Sequence, residues 1–411
     1  MKKVILYAVT ASLIFCNFTL KKEDALKSIT PLDRIELTAK QTKKVDADNR
    51  FAFNMFREVL ALSDNPNTFF SPLSLNMALG MLYNGASGGT HAEMAEVLGM
   101  ADFTETEINE YYQKISQALQ KIDPLTDISI ANSIWYRDDF PVKRPFIDIN
   151  KNYFDALVNP LNFYRSDAAN IINKWCADKT KNKIKEIIQS PIPGDVMMYL
   201  INALYFKSKW QFEFDKRNTK QDDFTKAQNL KKKVNMMEQT TTLPYYADQY
   251  MQCVEMPYGN QSFSMVAILP ANNMNIDQLV KHLDNTTWQN AVSNMREQNV
   301  WLKLPRFKIE CELPLNEPVR NVGMKLIFDG GFANISDRPL VVSNIKQKTF
   351  VEVNEEGTEA AAVTAISMTR VSYHGTPQRI QFFANRPFLY LIKEKSTGVI
   401  LFVGRMDDPK E

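Results

Sequence analysis

Apolar and polar positions along this chain follow two different periods. In the stretch 51–60, Phe51, Met55 and Val59 recur at helical spacing, which predicts an amphipathic helix. Asn67-Thr68-Phe69-Phe70-Ser71-Pro72 opens a second helix. Ser71 is placed to cap it and Pro72 to sit at its first turn, where a missing N–H costs nothing. Leu75, Leu79 and Leu82 share one side of that helix, and it stops near Asn84-Gly85. Short helices are also predicted over 90–98, 168–180 and 276–283. Strand patterns appear over 128–135, where Ile128-Ser129-Ile130 alternates, and over 198–206, 263–269, 301–307 and 349–353. Helices gather early and strands later, with no steady β-α-β alternation. This predicts an α+β fold rather than a doubly wound sheet.

Composition narrows the function. The 411 residues are 45% apolar and 23% charged, with a net charge of +2. That balance suits a globular protein and gives no bulk attraction to nucleic acid or an anionic membrane. Residues 1–20 read as an export leader: Met1-Lys2-Lys3, then an apolar run over 4–15 too short to span a bilayer. The run ends at Cys16, where a bacterial lipoprotein would carry its lipid, although Phe15 is large for that signal. The mature chain is therefore expected outside the cytoplasm: secreted, periplasmic or lipid-anchored. Residues 21–45 are polar and read as a tether, with the folded domain over 46–411. Cys176, Cys253 and Cys311 match no zinc spacing and are expected to be structural thiols. No cofactor or metal is expected.

Two motifs have simple structural readings. Gly85-Ala86-Ser87-Gly88-Gly89 fits G-x-S-x-G, but a nucleophile elbow needs a strand before it, and here a helix precedes. Lys231-Lys232-Lys233 is short and reads as a strand end. The segment 351–366 is harder to place. It begins as a strand, turns acidic at Glu355-Glu356, and after Gly357 runs through Thr358-Glu359-Ala360-Ala361-Ala362-Val363-Thr364-Ala365-Ile366. The β-branched residues oppose a helix. As a strand, Thr358, Ala360, Ala362, Thr364 and Ile366 would share one face, with Glu359 on the other.

Several ordered motifs together resemble the serpin family over nearly the whole of 46–409. They are Asn67-Thr68-Phe69-Phe70-Ser71-Pro72-Leu73-Ser74 and Asn202-Ala203-Leu204-Tyr205-Phe206-Lys207-Ser208-Lys209-Trp210. The others are the 350–362 hinge, Asn385-Arg386-Pro387-Phe388-Leu389, and Gly398-Val399-Ile400-Leu401-Phe402-Val403-Gly404-Arg405. The resemblance implies one domain with three β-sheets, eight or nine helices and an exposed reactive loop. It implies a monomeric inhibitor rather than an enzyme. Such an inhibitor forms a covalent acyl complex with serine, and in some cases cysteine, proteases as the cut loop inserts into the main sheet. The alternative is a non-inhibitory serpin acting as carrier or chaperone.

By the same resemblance the hinge is Glu355, Glu356, Gly357, Thr358, Glu359, Ala360, Ala361, Ala362, Val363 and Thr364. Ser71, Ser74, Asn202, Trp210 and Gln347 belong to the region where the sheet opens. Gln347 stands where many members carry histidine, so a variant hydrogen-bond network is expected there. Counting the usual spacing forward from Gly357 puts the cut at Val371-Ser372. Counting back from Pro387 reaches 373–376. Arg370, Val371 and Tyr373 would suit trypsin-like, elastase-like and chymotrypsin-like pockets respectively, so broad specificity is expected.

Overall fold

A computed structural model describes residues 34–63, 65–226, 229–358 and 379–411. Cys16 and the leader lie outside the described residues, as do Glu359, Ala360, Ala361, Ala362, Val363, Thr364, Arg370, Val371, Ser372 and Tyr373. Among the described residues the helices are α1 (Ala39–Leu62), α2 (Pro72–Tyr83), α3 (Gly88–Val97), α4 (Glu105–Leu119) and α5 (Arg144–Phe154). After them come α6 (Ala168–Lys179), α7 (Ile276–His282), α8 (Asn285–Asn294) and α9 (Asn316–Asn321).

The first strands are β1 (Thr68–Phe70), β2 (Thr126–Arg137), β3 (Leu157–Leu161), β4 (Met198–Lys209) and β5 (Lys220–Thr225). The next are β6 (Lys231–Ala247), β7 (Met251–Pro257), β8 (Phe263–Pro270), β9 (Arg296–Pro305) and β10 (Phe307–Pro314). The last are β11 (Lys346–Asn354), β12 (Gly357–Thr358), β13 (Ile380–Phe383), β14 (Phe388–Glu394) and β15 (Ile400–Met406). One sheet runs β10-β11-β12-β4-β2-β3. The other runs β1-β15-β14-β8-β7-β6-β9-β13, with β5 on β6. The three sheets implied by the resemblance thus form two hydrogen-bonded networks. The long β6 joins two of them, because it pairs with β5 and β9 along most of its length and with β7 at its end.

The predicted elements recur with shifted ends, and two differences have physical causes. The stretch 301–307 is not one strand. It breaks at Arg306, whose amide donates to Asn235 O and whose guanidinium turns to Glu355. The other difference is at the start of the domain. The segment 21–45 is not a tether throughout: α1 begins at Ala39, capped by Thr38 and Gln41 in a reciprocal box, and Ile35 is already buried. The polar appearance there is misleading because the charges are paired inside. Lys44 is fully buried and donates to Asp48, to Leu98 O at 3.2 Å and to the Tyr112 hydroxyl at 3.3 Å. Tyr111 donates to the same carboxylate at 2.7 Å. Burial, then the Asp48 charge, pushes both phenols above their usual range.

The other assignments have clear positions. Ser87 precedes α3, accepts from Ala333 N at 3.3 Å and follows α2, not a strand. A Cβ on Gly85 would lie 2.2 Å from Ile335, so that glycine serves packing. Lys231, Lys232 and Lys233 pair with Asp223 and Asp408. Cys176, Cys253 and Cys311 are free and buried, and burial raises all three thiols, Cys176 to about 12.

Replacing Lys44 by Met leaves Asp48 buried beside two hydroxyls without its counter-ion. The expected loss is about 3–5 kcal/mol, read as a lower urea midpoint. An unchanged midpoint would show that the network is dispensable.

Candidate functional site

The chain between β11 and β12 turns back on itself, and its residues are fixed one by one. Glu355 is 2% exposed and accepts from Arg306 Nε at 2.8 Å, from Arg306 Nη2 and from the Thr219 hydroxyl. Burial alone would raise this carboxyl. The Arg306 and Thr219 hydrogen bonds outweigh it and hold the group below the usual glutamate value. Glu356 pairs with Lys216. Gly357 has φ +153°, and a Cβ there would stand 2.1 Å from Ser208 O, so only glycine fits. Thr358 is buried and shares a 2.5 Å hydrogen bond with the Tyr258 hydroxyl. Beneath them Trp210 stacks on Tyr258, with centroids 4.4 Å apart. Its indole N–H donates to Asn354 O and its backbone N–H to Glu356 O, each at 2.9 Å. Trp210 therefore belongs with the hinge, not with the serine pair.

Gly357 and Thr358 form a strand, β12, wedged between two others. Thr358 lies opposite Val353 on one side and Ser208 on the other, antiparallel to both. It follows that β4 and β11 are parallel. Among the described residues no ladder joins them below Thr358. They face each other across a slot.

Further down the slot, roughly 20 Å from Val353 at the rise of a strand, the remaining predicted residues converge. The Gln347 side chain accepts from Ser71 N at 2.7 Å and donates to Ser71 O at 2.9 Å. Ser71 Oγ accepts from Ser74 N as the cap of α2 and donates to Leu401 O at 2.8 Å. The Ser74 hydroxyl donates to Asn202 O at 3.4 Å. The Asn202 amide donates to Asn132 Oδ1 at 2.7 Å, and Asn132 donates to Phe154 O at 2.7 Å. The first turn of α2 thus holds both strand edges at once. Glutamine supplies both halves of its bond pair, as expected. Sequence reasoning missed Asn132 and Thr349, whose hydroxyl donates to Phe69 O at 2.6 Å. A polar residue at a buried strand position was the only available sign of either.

A cavity of about 370 Å³ lies under and over the lower slot. Leu75 and Leu79 of α2 form its floor. Ile184, Ile187 and Cys176, from α6 and the strap after it, form its roof. Asn173 ties that strap to α6 with three hydrogen bonds, to Ile188 O and from the amides of Ile187 and Ile188.

The family model described as serpin (serine protease inhibitor) matches residues 46–409. Iripin-1 of Ixodes ricinus is 34% identical over 372 residues, covering 88% of this chain and 93% of its own. The native structure of tengpin, a thermophilic serpin, superposes with TM-score 0.81 at 30% identity, over 92% of this chain and 97% of its own. Human thyroxine-binding globulin with thyroxine gives TM-score 0.82 at 26% identity, over 91% and 100%.

Glu355→Gln removes a carboxyl whose folded pKa is depressed. The stability it contributes is present above the unfolded value of about 4.3. It is lost as pH falls through the lower folded value. The gap in urea midpoint between the native chain and Glu355→Gln is therefore expected to be wide at neutral pH and to close at acidic pH. A gap independent of pH would mean that the charge of Glu355 is not what stabilises this turn.

Proposed function

We propose that this chain, which belongs to the serpin family, is a suicide-substrate inhibitor of serine proteases, and of cysteine proteases with matching pockets. Serpins in general are protease inhibitors rather than enzymes. The finer reading rests above all on one observation: two residues of the hinge are already seated between β4 and β11, at the head of a slot that no further strand occupies among the described residues.

Continuing that register downward predicts where a cut loop would go. Ala360 would pass between Val351 and Phe206, Ala362 between Thr349 and Leu204, and Thr364 between Gln347 and Asn202. Val351, Thr349 and Gln347 are buried and the alternate residues of β11 are not. So Thr358, Ala360, Ala362, Thr364 and Ile366 would all point inward, and the small size of the first four avoids overpacking. Glu359 would point outward beside Lys207. Thr364 would then arrive at the serine and amide network around Ser71, Ser74, Asn202 and Gln347. Insertion would add ladder bonds on both edges. At roughly 1 kcal/mol each, about ten bonds supply on the order of 10 kcal/mol.

The chemistry is an interrupted proteolysis. The protease nucleophile bonds to the carbonyl carbon of the scissile residue, and the peptide nitrogen leaves with a proton as a new amino terminus. The loop then inserts before water can cleave the acyl bond, carrying the protease with it. Arg370, Val371 and Tyr373 offer three side chains for the enzyme's pocket, so elastase-like and trypsin-like enzymes are the first targets. The apolar leader over 4–15 and Cys16 support an activity outside the cytoplasm: secreted, periplasmic or on a lipid anchor.

Mixing the chain with elastase-like and trypsin-like proteases is expected to give an SDS-stable complex. The mass of the released C-terminal peptide identifies the cut among Arg370, Val371 and Tyr373. Cleavage at every site without a complex would sink the inhibitory reading and leave a carrier. Loop cleavage alone is expected to raise the thermal midpoint sharply, because insertion completes the sheet. Ala362→Arg should turn the inhibitor into a substrate, since on the register of β12 a guanidinium would have to be buried between Thr349 and Leu204 on insertion. Complex formation by that variant at unchanged stoichiometry would contradict the proposed route of insertion.

A further inference from the structure

We propose that the outward face of β9 and β13, centred on Trp301 and Arg379, is a second docking surface for the body of the target protease, and that it favours enzymes with carboxylates on the rim of their cleft. The identity of the partner rests on the inhibitory reading above. The surface itself rests on the geometry of the sheet.

β9 turns one side to the core and the other to solvent. Val300, Leu302 and Leu304 are fully buried, while Trp301 and Lys303 alternate with them and stay half-buried. β13 ends this sheet, parallel to β9, with Gln381 opposite Trp301 and Phe383 opposite Lys303. On the other flank β6 sets Thr240 opposite Trp301 and Glu238 opposite Lys303. These side chains therefore share one outward face. The Trp301 indole N–H donates to Glu238 Oε1 at 2.7 Å. Phe383 meets the indole edge to face, with centroids 5.0 Å apart and planes at 86°. The Arg379 guanidinium lies 5.0 Å from the centre of the same ring. The indole is thus held on three sides before a partner arrives, so docking on it costs little ordering entropy. Tryptophan and arginine are also the side chains that most often dominate the energy of a protein interface.

The place in the chain says what covers this face. Arg379 follows the candidate cut residues Arg370, Val371 and Tyr373 by only six to nine residues. Even a fully extended chain of that length spans at most about 30 Å. A protease domain of ordinary size is about 40 Å across. An enzyme that holds the scissile residue in its cleft therefore has its rim within reach of the β9–β13 face.

Charge along the face sets the preference. Lys303 is already matched by two carboxylates, Asp222 at 2.8 Å and Glu238 at 3.9 Å. Arg379 is exposed, and among the described residues no carboxylate pairs with it. The end of the face nearest the loop is thus its positive end. A carboxylate on the protease rim would pair there, which raises the rate of encounter more than it changes the later insertion.

The test uses the full chain and two proteases that cut the same bond, one with an acidic and one with a basic cleft rim. The second-order rate of complex formation is measured for each. Arg379→Glu is expected to slow the acidic-rim enzyme about tenfold and not to slow the basic-rim enzyme. The effect should shrink in 1 M salt, where charges are screened beyond roughly 3 Å. Trp301→Ala should slow the acidic-rim enzyme to a similar extent, and Trp301→Phe should restore part of the rate. The stoichiometry of inhibition should stay unchanged in all three variants, because insertion is not touched. Unchanged rates would overturn the docking surface. So would equal slowing of both enzymes, or slowing that salt does not alter, since Arg379 would then only shape the root of the loop. Should Trp301→Ala fail to fold, Arg379→Glu at its exposed position still decides. Loop cleavage without an SDS-stable complex would instead refute the inhibitory reading, and the cleavage rates of the same two enzymes would then judge the surface by the same criteria.

Discussion

Everything in this molecule depends on two strand edges that do not meet. β4 and β11 run parallel in one sheet, yet among the described residues no ladder joins them below Thr358. Backbone N–H and C=O groups on such edges are normally paired. Here the only strand between them among the described residues is the two-residue β12. Under the proposed inhibitory mechanism an edge left open in the middle of a sheet would be a store of free energy, released when the segment after Thr358 inserts.

The gap persists because other elements hold its margins. At the upper end Gly357 and Thr358 act as a wedge. Arg306, Thr219 and Trp210 fix the turn before it through Glu355 and Asn354. At the lower end the first turn of α2 touches both edges, through Gln347 on one side and Asn202 on the other. Asn173 fastens the strap over the roof. These are mostly neutral hydrogen bonds in buried places. Each is modest in net worth but costly to leave half-made. A network of that kind can hold one geometry firmly and still exchange it for another that satisfies as many groups.

Much of this was legible along the chain. The spacing of Phe51, Met55 and Val59, the Ser71-Pro72 start and the alternation around Ile128 each pointed to an element that is present. The small residues after Gly357 suggested a second life as a strand; Thr358 sits in one, and the rest lie outside the described residues. The failures share one cause. Lys44 looked like part of a polar tether because a sequence shows a charge but not its partner. The stretch 301–307 looked continuous because the demand that breaks it, the Arg306 pair with Glu355, comes from residues far along the chain.

What the sequence alone determined, then, is the set of local choices: where helices cap and which strands bury one face. These depend on neighbours a few residues apart. Only the tertiary structure decided that β6 fuses two sheets, that Asn132 and Thr349 belong to the network around Ser71, and that a cavity lies between α2 and the strap. Those facts depend on which distant surfaces come into contact. Burial, hydrogen bonding and charge pairing act at those contacts, across separations that no local pattern encodes.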